Sequence, residues 1–169
     1  TVTRVVYSLR LVHERVAEEF LPKVAERLLQ DKVQLKCDVK SLKIIGNDHQ
    51  KGILPMDEGD FDREWLSLVL GIRVVHSIDE AIEHIHLHST QHSDGILTEN
   101  PEHARRFIAE IDSAAVYVNA STRFTDGAQL GLGGEVAVST QKLHARGPIG
   151  LDGLTTYKWV LEGEYTVRD

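Results

Sequence analysis

One cysteine, one methionine and four prolines stand among 169 residues, and aromatic side chains make up only 6% of the chain. The lone cysteine, Cys37, cannot make an internal disulfide, and an unpartnered thiol suits a reducing compartment, so the expected location is cytoplasmic. Long apolar runs are missing as well. Ala114 to Val118 and Leu68 to Ile72 fall far short of the roughly 20 residues that cross a bilayer, and no secretory signal opens the chain. Basic charge is also scarce: 19 Lys and Arg face 26 Asp and Glu, a net charge of −7. That balance argues against a phosphate backbone as partner, because such binding needs a basic face. The only methionine is Met56 and the chain opens Thr1-Val2-Thr3, which points to a processed start or to a piece of something longer.

What remains is an ordinary globular composition. Hydrophobic residues at 41% and charged residues at 27% can build a core, and the length fits one domain of the usual roughly 100 to 200 residues. Residues 5 to 12 read as a strand, followed by a helix in which Val16, Phe20, Val24 and Leu28 recur every four residues beside Leu21, Ala25 and Leu29, a wide apolar stripe. Pro22 is expected to kink or restart that helix. Residues 46 to 62 hold turn formers and acids, including Asp57, Glu58, Asp60 and Asp62, and read as an exposed connection. Ile72 to Val75 predicts a short strand, and Ser77 with Glu80 three residues on predicts a capped helix from about 78 to 89. Gly95 to Thr98 predicts another strand. Asn100-Pro101 supplies an N-cap and first-turn proline for a helix carrying Ala104, Phe107, Ile108 and Ile111, and Ala114 to Val118 predicts a further strand. Strands alternating with helices favour a sheet with helices packed on its faces. From residue 119 the chain turns glycine-rich, with seven glycines between Gly127 and Gly153, where backbone can approach a ligand closely. Thr155 to Leu161 and Glu164 to Arg168 read as two strands about a Glu162-Gly163 turn.

Four constellations carry candidate chemistry. Glu80, His84, His88 and His92 are spaced by four and could offer metal ligands on one helix face, although a solvated polar face gives the same pattern. Cys37 lacks a neighbouring histidine or helix N-terminus to stabilise a thiolate, which favours a passive thiol. Gly127 to Glu135 has the glycines of a phosphate loop without its Gly-Lys-Ser/Thr ending. Asn119, Ser121, Thr122 and Arg123 follow a strand directly, and such groups could hold a carboxylate or phosphate. A hydrogen-bonded turn with an Arg123/Asp126 pair fits the same residues.

Val116-Tyr-Val-Asn-Ala-Ser-Thr-Arg-Phe-Thr-Asp-Gly127, followed by Leu130-Gly-Leu-Gly-Gly-Glu-Val-Ala-Val-Ser-Thr-Gln-Lys-Leu-His-Ala-Arg-Gly-Pro148, resembles the C-terminal signature of the γ-glutamyl phosphate reductase family. That family belongs to the aldehyde dehydrogenase superfamily. The resemblance extends through Thr155-Thr-Tyr-Lys-Trp159 and back through Gln91-His-Ser-Asp94 and Leu11-Val-His-Glu14, about residues 11 to 169. It implies a three-layer α/β catalytic domain over residues 1–154, with residues 1–10 departing from the pattern, and a strand region over 155–169 that pairs subunits into a homo-oligomer. It implies NADPH as cofactor, γ-glutamyl phosphate as substrate, proline biosynthesis as setting, and functional association with glutamate 5-kinase. The family's nucleophilic cysteine falls, by ungapped counting, at Arg4, so the isolated chain is expected to be inactive. By the same resemblance Glu64 would contact the nicotinamide ribose. Arg123 would take the substrate carboxylate, with Asn119, Ser121 and Thr122 on the same loop, and His144 and Arg146 would contact phosphate. No metal is implied. The alternative is a catalytically silent domain that binds a ligand or partner.

Overall fold

The computed structural model describes residues 9–46 and 52–168. The chain forms two compact units, residues 1–89 and 90–169. Residues 1–8, including Arg4, lie outside the described residues.

The first unit is built on a parallel four-stranded sheet. Its strands are β1 (Leu9–His13), β2 (Gln34–Cys37), β3 (Ile53–Pro55) and β4 (Val69–Val75), in the order β1-β4-β2-β3. Alternation along the strands sorts side chains to two faces. Val12, Leu35, Cys37, Leu70, Ile72 and Val74 pack with Ala17, Leu21 and Ala25 of helix α1 (Glu14–Gln30), and with Leu42, Ile44 and Ile45 of α2 (Val39–Ile45). The opposite face carries Lys36, Gly71 and Arg73, which meet the 56–65 segment and helix α3 (Ile78–His88). This unit therefore has three layers. Burying Leu21, Leu35 and Ile72, each at 1% exposure or less, contributes about 2 kcal/mol apiece.

Several expectations are corrected by this packing. The core edge of α1 runs through Ala17, Leu21 and Ala25, and Val16 and Phe20 are 53% and 47% exposed. Pro22 does not restart the helix, which runs unbroken for 17 residues. The 46–62 stretch is not simply an exposed connection: it contains β3 and a short 3-10 turn at Asp60–Asp62, and Asp60 is buried. The Ser77 cap forms as expected, with the Glu80 amide donating to Ser77 Oγ at 3.2 Å. At Gly71 the tips of Leu9 and Met56 come in over bare backbone, since a Cβ there would lie 2.8 Å from Leu9 and 3.2 Å from Met56.

The second unit is smaller in its regular parts. Strands β5 (Ser93–Ile96) and β6 (Ala115–Val118) pair in parallel, joined by helix α4 (Pro101–Glu110), whose Phe107 is buried together with Ile111. Asn100 Oδ1 accepts from the amides of Glu102 and His103, as the Asn-Pro sequence implies. A 3-10 turn at Thr122–Phe124 follows, then an antiparallel pair, β7 (Ala137–Ser139) with β8 (Gly147–Ile149), and the short helix α5 (Leu151–Leu154). Residues 155–168 contain no paired strand, so the expected terminal strand pair is absent from the chain itself. Tyr157, Trp159, Leu161 and Tyr165 stand fully or largely exposed there. Among the described residues, no helix is long and apolar enough to cross a membrane.

Candidate functional site

The second unit gathers four of the nominated residues on one turn. Asn119 leaves β6 in the left-handed region, φ 53°, which asparagine tolerates better than most residues. Its amide side chain is spent on the backbone: Oδ1 accepts from the Thr98 amide at 2.8 Å and Nδ2 donates to the Thr98 carbonyl at 2.9 Å. Ser121 Oγ accepts from the Arg123 amide at 3.2 Å and caps the 3-10 turn. Thr122 is partly buried, with its methyl group over Gly95. Arg123 is exposed, and its guanidinium has no ionic or hydrogen-bonding partner among the described residues. The Arg123/Asp126 pair that the sequence left open does not form. Asp126 Oδ1 instead accepts from the amides of Ala128 and Gln129, at 2.9 and 3.0 Å.

Other nominated groups are used internally. Arg146 donates from Nη1 to Asp112 Oδ1 at 2.7 Å and from Nη2 to the Asp112 carbonyl, and Lys142 pairs with the same carboxylate. Lys142 first and Arg146 second push the Asp112 carboxyl down to about 2. Arg146 thereby clamps the segment after α4 to the β7–β8 connection through its two Nη groups, while its Nε is buried without a partner. His144 is exposed. The glycine-rich loop spends its amides on itself, since Gly127 N–H donates to Glu135 Oε2 at 2.7 Å.

Glu64 belongs to the first unit, where its carboxylate is exposed and free among the described residues. Its neighbours are fixed: Asp62 Oδ1 lies 2.8 Å from His88 Nδ1, and the Trp65 ring covers Gly71. A cluster that the sequence reading missed underlies this segment. Lys36 reaches Asp57 at 2.8 Å and the buried Asp60 at 3.1 Å. Burial works to raise the Asp60 carboxyl, but the Asp57 amide and the Lys36 ammonium outweigh it and hold the group below the ordinary carboxylate range. The Gln34-Leu35-Lys36-Cys37 alternation was the available signal, since it puts Lys36 opposite the core face of β2. A cavity of about 430 Å3 nearby is lined by Met56, Phe61, His88 and the acidic Asp38, Asp57 and Asp62. Of the nominated residues only His88, from the histidine series, lines it.

The histidine spacing resolves into separate internal hydrogen bonds. Arg73 Nη1 lies 2.8 Å from His84 Nδ1. A guanidinium can only donate, so His84 accepts at Nδ1 and carries its proton on the buried Nε2, which has no partner. That tautomer removes the Nε2 lone pair a metal would need. Glu80 takes Arg73 and the His76 amide, at 3.0 and 2.8 Å. Burial first, then Arg73 and His88, lower His84 to about 4. Among the described residues no group of three or more His, Cys, Asp or Glu is placed to hold a metal ion. Cys37 is buried on the core face, and desolvation pushes its thiol up to about 11, so it is held as a neutral thiol and not as a nucleophile.

Comparison with known proteins supplies the context for the free Arg123. The chain is similar, over nearly its whole length, to γ-glutamyl phosphate reductases. The enzyme of that name from Cronobacter sakazakii is 56% identical over 158 residues, 94% of this chain and 38% of the relative. The one from Thermotoga maritima is 52% identical over 159 residues, 94% of this chain and 37% of the relative. The crystal structure of the Thermotoga maritima γ-glutamyl phosphate reductase superposes with a TM-score of 0.87, covering 96% of this chain and 38% of that one. An acetylating aldehyde dehydrogenase from Geobacillus thermoglucosidasius shares the fold, at 16% identity and a TM-score of 0.54, over 96% of this chain and 40% of its own. No family model matches. The architecture is thus aldehyde-dehydrogenase-like α/β, and the chain spans little more than a third of the length of the reductases it matches.

Proposed function

We propose that this chain is the C-terminal, substrate-side portion of a γ-glutamyl phosphate reductase, an oxidoreductase of proline biosynthesis, and that Arg123 holds the substrate's carboxylate. The observation that carries this reading is the Arg123 turn. Its backbone is pinned by Asn119 and Ser121, its acidic neighbour Asp126 is occupied elsewhere, and its guanidinium is left open. A planar guanidinium in that state matches a carboxylate bidentately. Asn119 and Ser121 then act by shaping the turn, and Thr122 by seating it, while the exposed His144 remains the candidate for phosphate.

NADPH is the cofactor this reading implies, and Glu64 fits it: an exposed carboxylate between two fixed neighbours can accept hydrogen bonds from a ribose diol. The reduced nicotinamide would supply the hydride. Cys37, buried and neutral, does not perform the covalent step, so the thiolate has to come from outside this segment. The exposed Tyr157, Trp159 and Leu161 of the C-terminal segment support pairing with a second copy of the chain.

The test is kinetic. In a full-length relative carrying the same turn, Arg123→Ala should lower kcat/KM for γ-glutamyl phosphate by about 100-fold, as expected for losing one partner of a charged hydrogen-bonded pair, with NADPH affinity unchanged. An unaltered kcat/KM would remove Arg123 from the site.

A further inference from the structure

Beneath the Arg123 turn, three hydroxyls and an imidazole stand in series. Tyr117 Oη lies 2.6 Å from Thr125 Oγ1, Thr125 Oγ1 lies 2.7 Å from Ser93 Oγ, and Ser93 Oγ lies 2.8 Å from His92 Nδ1. The β5–β6 register sets Ser93 opposite Ala115 and Gly95 opposite Tyr117, so Ser93, Gly95 and Tyr117 share one face of the pair. The turn is seated on that face. Gly95 lies under it: a Cβ there would lie 3.2 Å from the cross-strand Tyr117 Cβ and in ordinary contact, 3.5 Å, with the Thr122 methyl.

The proton count identifies one polarity that keeps every hydroxyl proton within the series. Three O–H groups serve three contacts, and each hydroxyl has one proton to give. Every proton is used within the series when Tyr117 donates to Thr125, Thr125 to Ser93, and Ser93 to the His92 Nδ1 lone pair. The reverse polarity leaves the Tyr117 proton outside. Thr125 is the junction: it closes the 3-10 turn, its amide donating to the Thr122 carbonyl at 3.3 Å, while its side chain ties that end to both strands.

Arg123 has no side-chain anchor of its own, so its direction is inherited from the backbone on either side. Ser121 fixes the N-terminal side. We propose that Thr125, held by Ser93 and Tyr117, fixes the C-terminal side, making these three positioning residues for Arg123 and preorganising it before the substrate arrives. This rests on the reading of Arg123 as the carboxylate-binding group. Preorganisation of this kind appears as affinity, because the ordering cost is not met at the moment of binding.

The experiment titrates the 169-residue chain with L-glutamate, followed by NMR at the amides of residues 119–126. The parent chain is compared with Arg123→Ala, Thr125→Val and Thr125→Ser. Thr125→Val keeps the shape and loses the hydroxyl, and should weaken binding about fivefold, the worth of a typical hydrogen bond. Thr125→Ser keeps the hydroxyl and should bind within about twofold of the parent. A packing role would give the opposite order. If the Thr125→Val variant does not fold, judged by amides away from the turn, Ser93→Ala breaks the same series and should weaken binding similarly. Parent-like affinity in Thr125→Val or Ser93→Ala, with binding lost in Arg123→Ala, overturns the positioning role and leaves the Arg123 reading standing. No binding by the parent, or unchanged binding in Arg123→Ala, overturns the Arg123 reading and the positioning role with it.

Discussion

The two units divide their apolar residues in opposite ways. Among the described residues, eleven apolar side chains are buried in the first unit, from Val12 to Ile82, and two, Phe107 and Ile111, in the second. Large apolar side chains left exposed number seven in the first and fifteen in the second. The first unit has a four-stranded sheet covered on both faces, whereas the second has two separate strand pairs, and a strand pair alone is at best marginally stable. The lesson is a division of labour. The first unit holds itself together, and the second presents turns and loops whose order rests on local polar ties such as Asn119–Thr98 and Asp112–Arg146.

The comparison is broken most directly by removing core from each side. Leu21→Ala should cost the first unit about 4 kcal/mol, as expected for a fully buried leucine, read by urea denaturation through Trp65, which is partly buried while Trp159 is 82% exposed. Phe107→Ala should leave that same transition within about 0.5 kcal/mol. Equal shifts would show that the two units melt as one body.

Next in size is the ion cluster under the 56–65 segment. Lys36→Met strips the ammonium from the buried Asp60 carboxylate and should cost about 3 kcal/mol, measured in the same way. A neutral outcome would mean that solvent reaches Asp60 and that the cluster is ornamental.

Acid should act on the first unit before carboxylates titrate. His84 sits at about 4 when folded against 6.5 as a free side chain. The unfolded chain therefore binds the extra proton between those values, and stability falls as pH drops from 6.5 to 4, by up to about 3 kcal/mol. Below that window the lowered carboxyls of Asp60 and Glu80 add losses of the same sign, since their stabilisation exists only while they are ionised. His84→Gln should flatten the 6.5-to-4 window without removing the steeper loss below it. A stability curve of unchanged slope in this variant would assign the window to other groups.

Sequence patterning carried much of this. The Ser77 and Asn100 caps, the α4 core residue Phe107 and strand β6 all follow from local rules that tertiary structure had no reason to override. The wide stripe on α1 includes the core residues Leu21, Ala25, Leu28 and Leu29, but its Val16 and Phe20 edge is exposed and Ala17 takes that place, because only the sheet beneath decides which edge is buried. Strand β3 and the buried Asp60 were hidden in a stretch of acids, since the cation that makes burial tolerable, Lys36, is supplied from a distant strand. The Arg123 turn was legible as a polar constellation. Which of its groups were free was not: Asn119 is taken up by the amide and carbonyl of Thr98 and Asp126 by the amides of Ala128 and Gln129, through contacts that spacing does not reveal.

Hydrogen–deuterium exchange of the chain with and without L-glutamate joins the comparison to the proposed site. The account predicts that the second unit exchanges faster than the first in the free chain, and that saturating L-glutamate slows exchange at residues 119–126 while strands β1, β2 and β4 are unaffected, with no slowing in Arg123→Ala. Protection that arises only in the first unit, or none at all at 119–126, would contradict it.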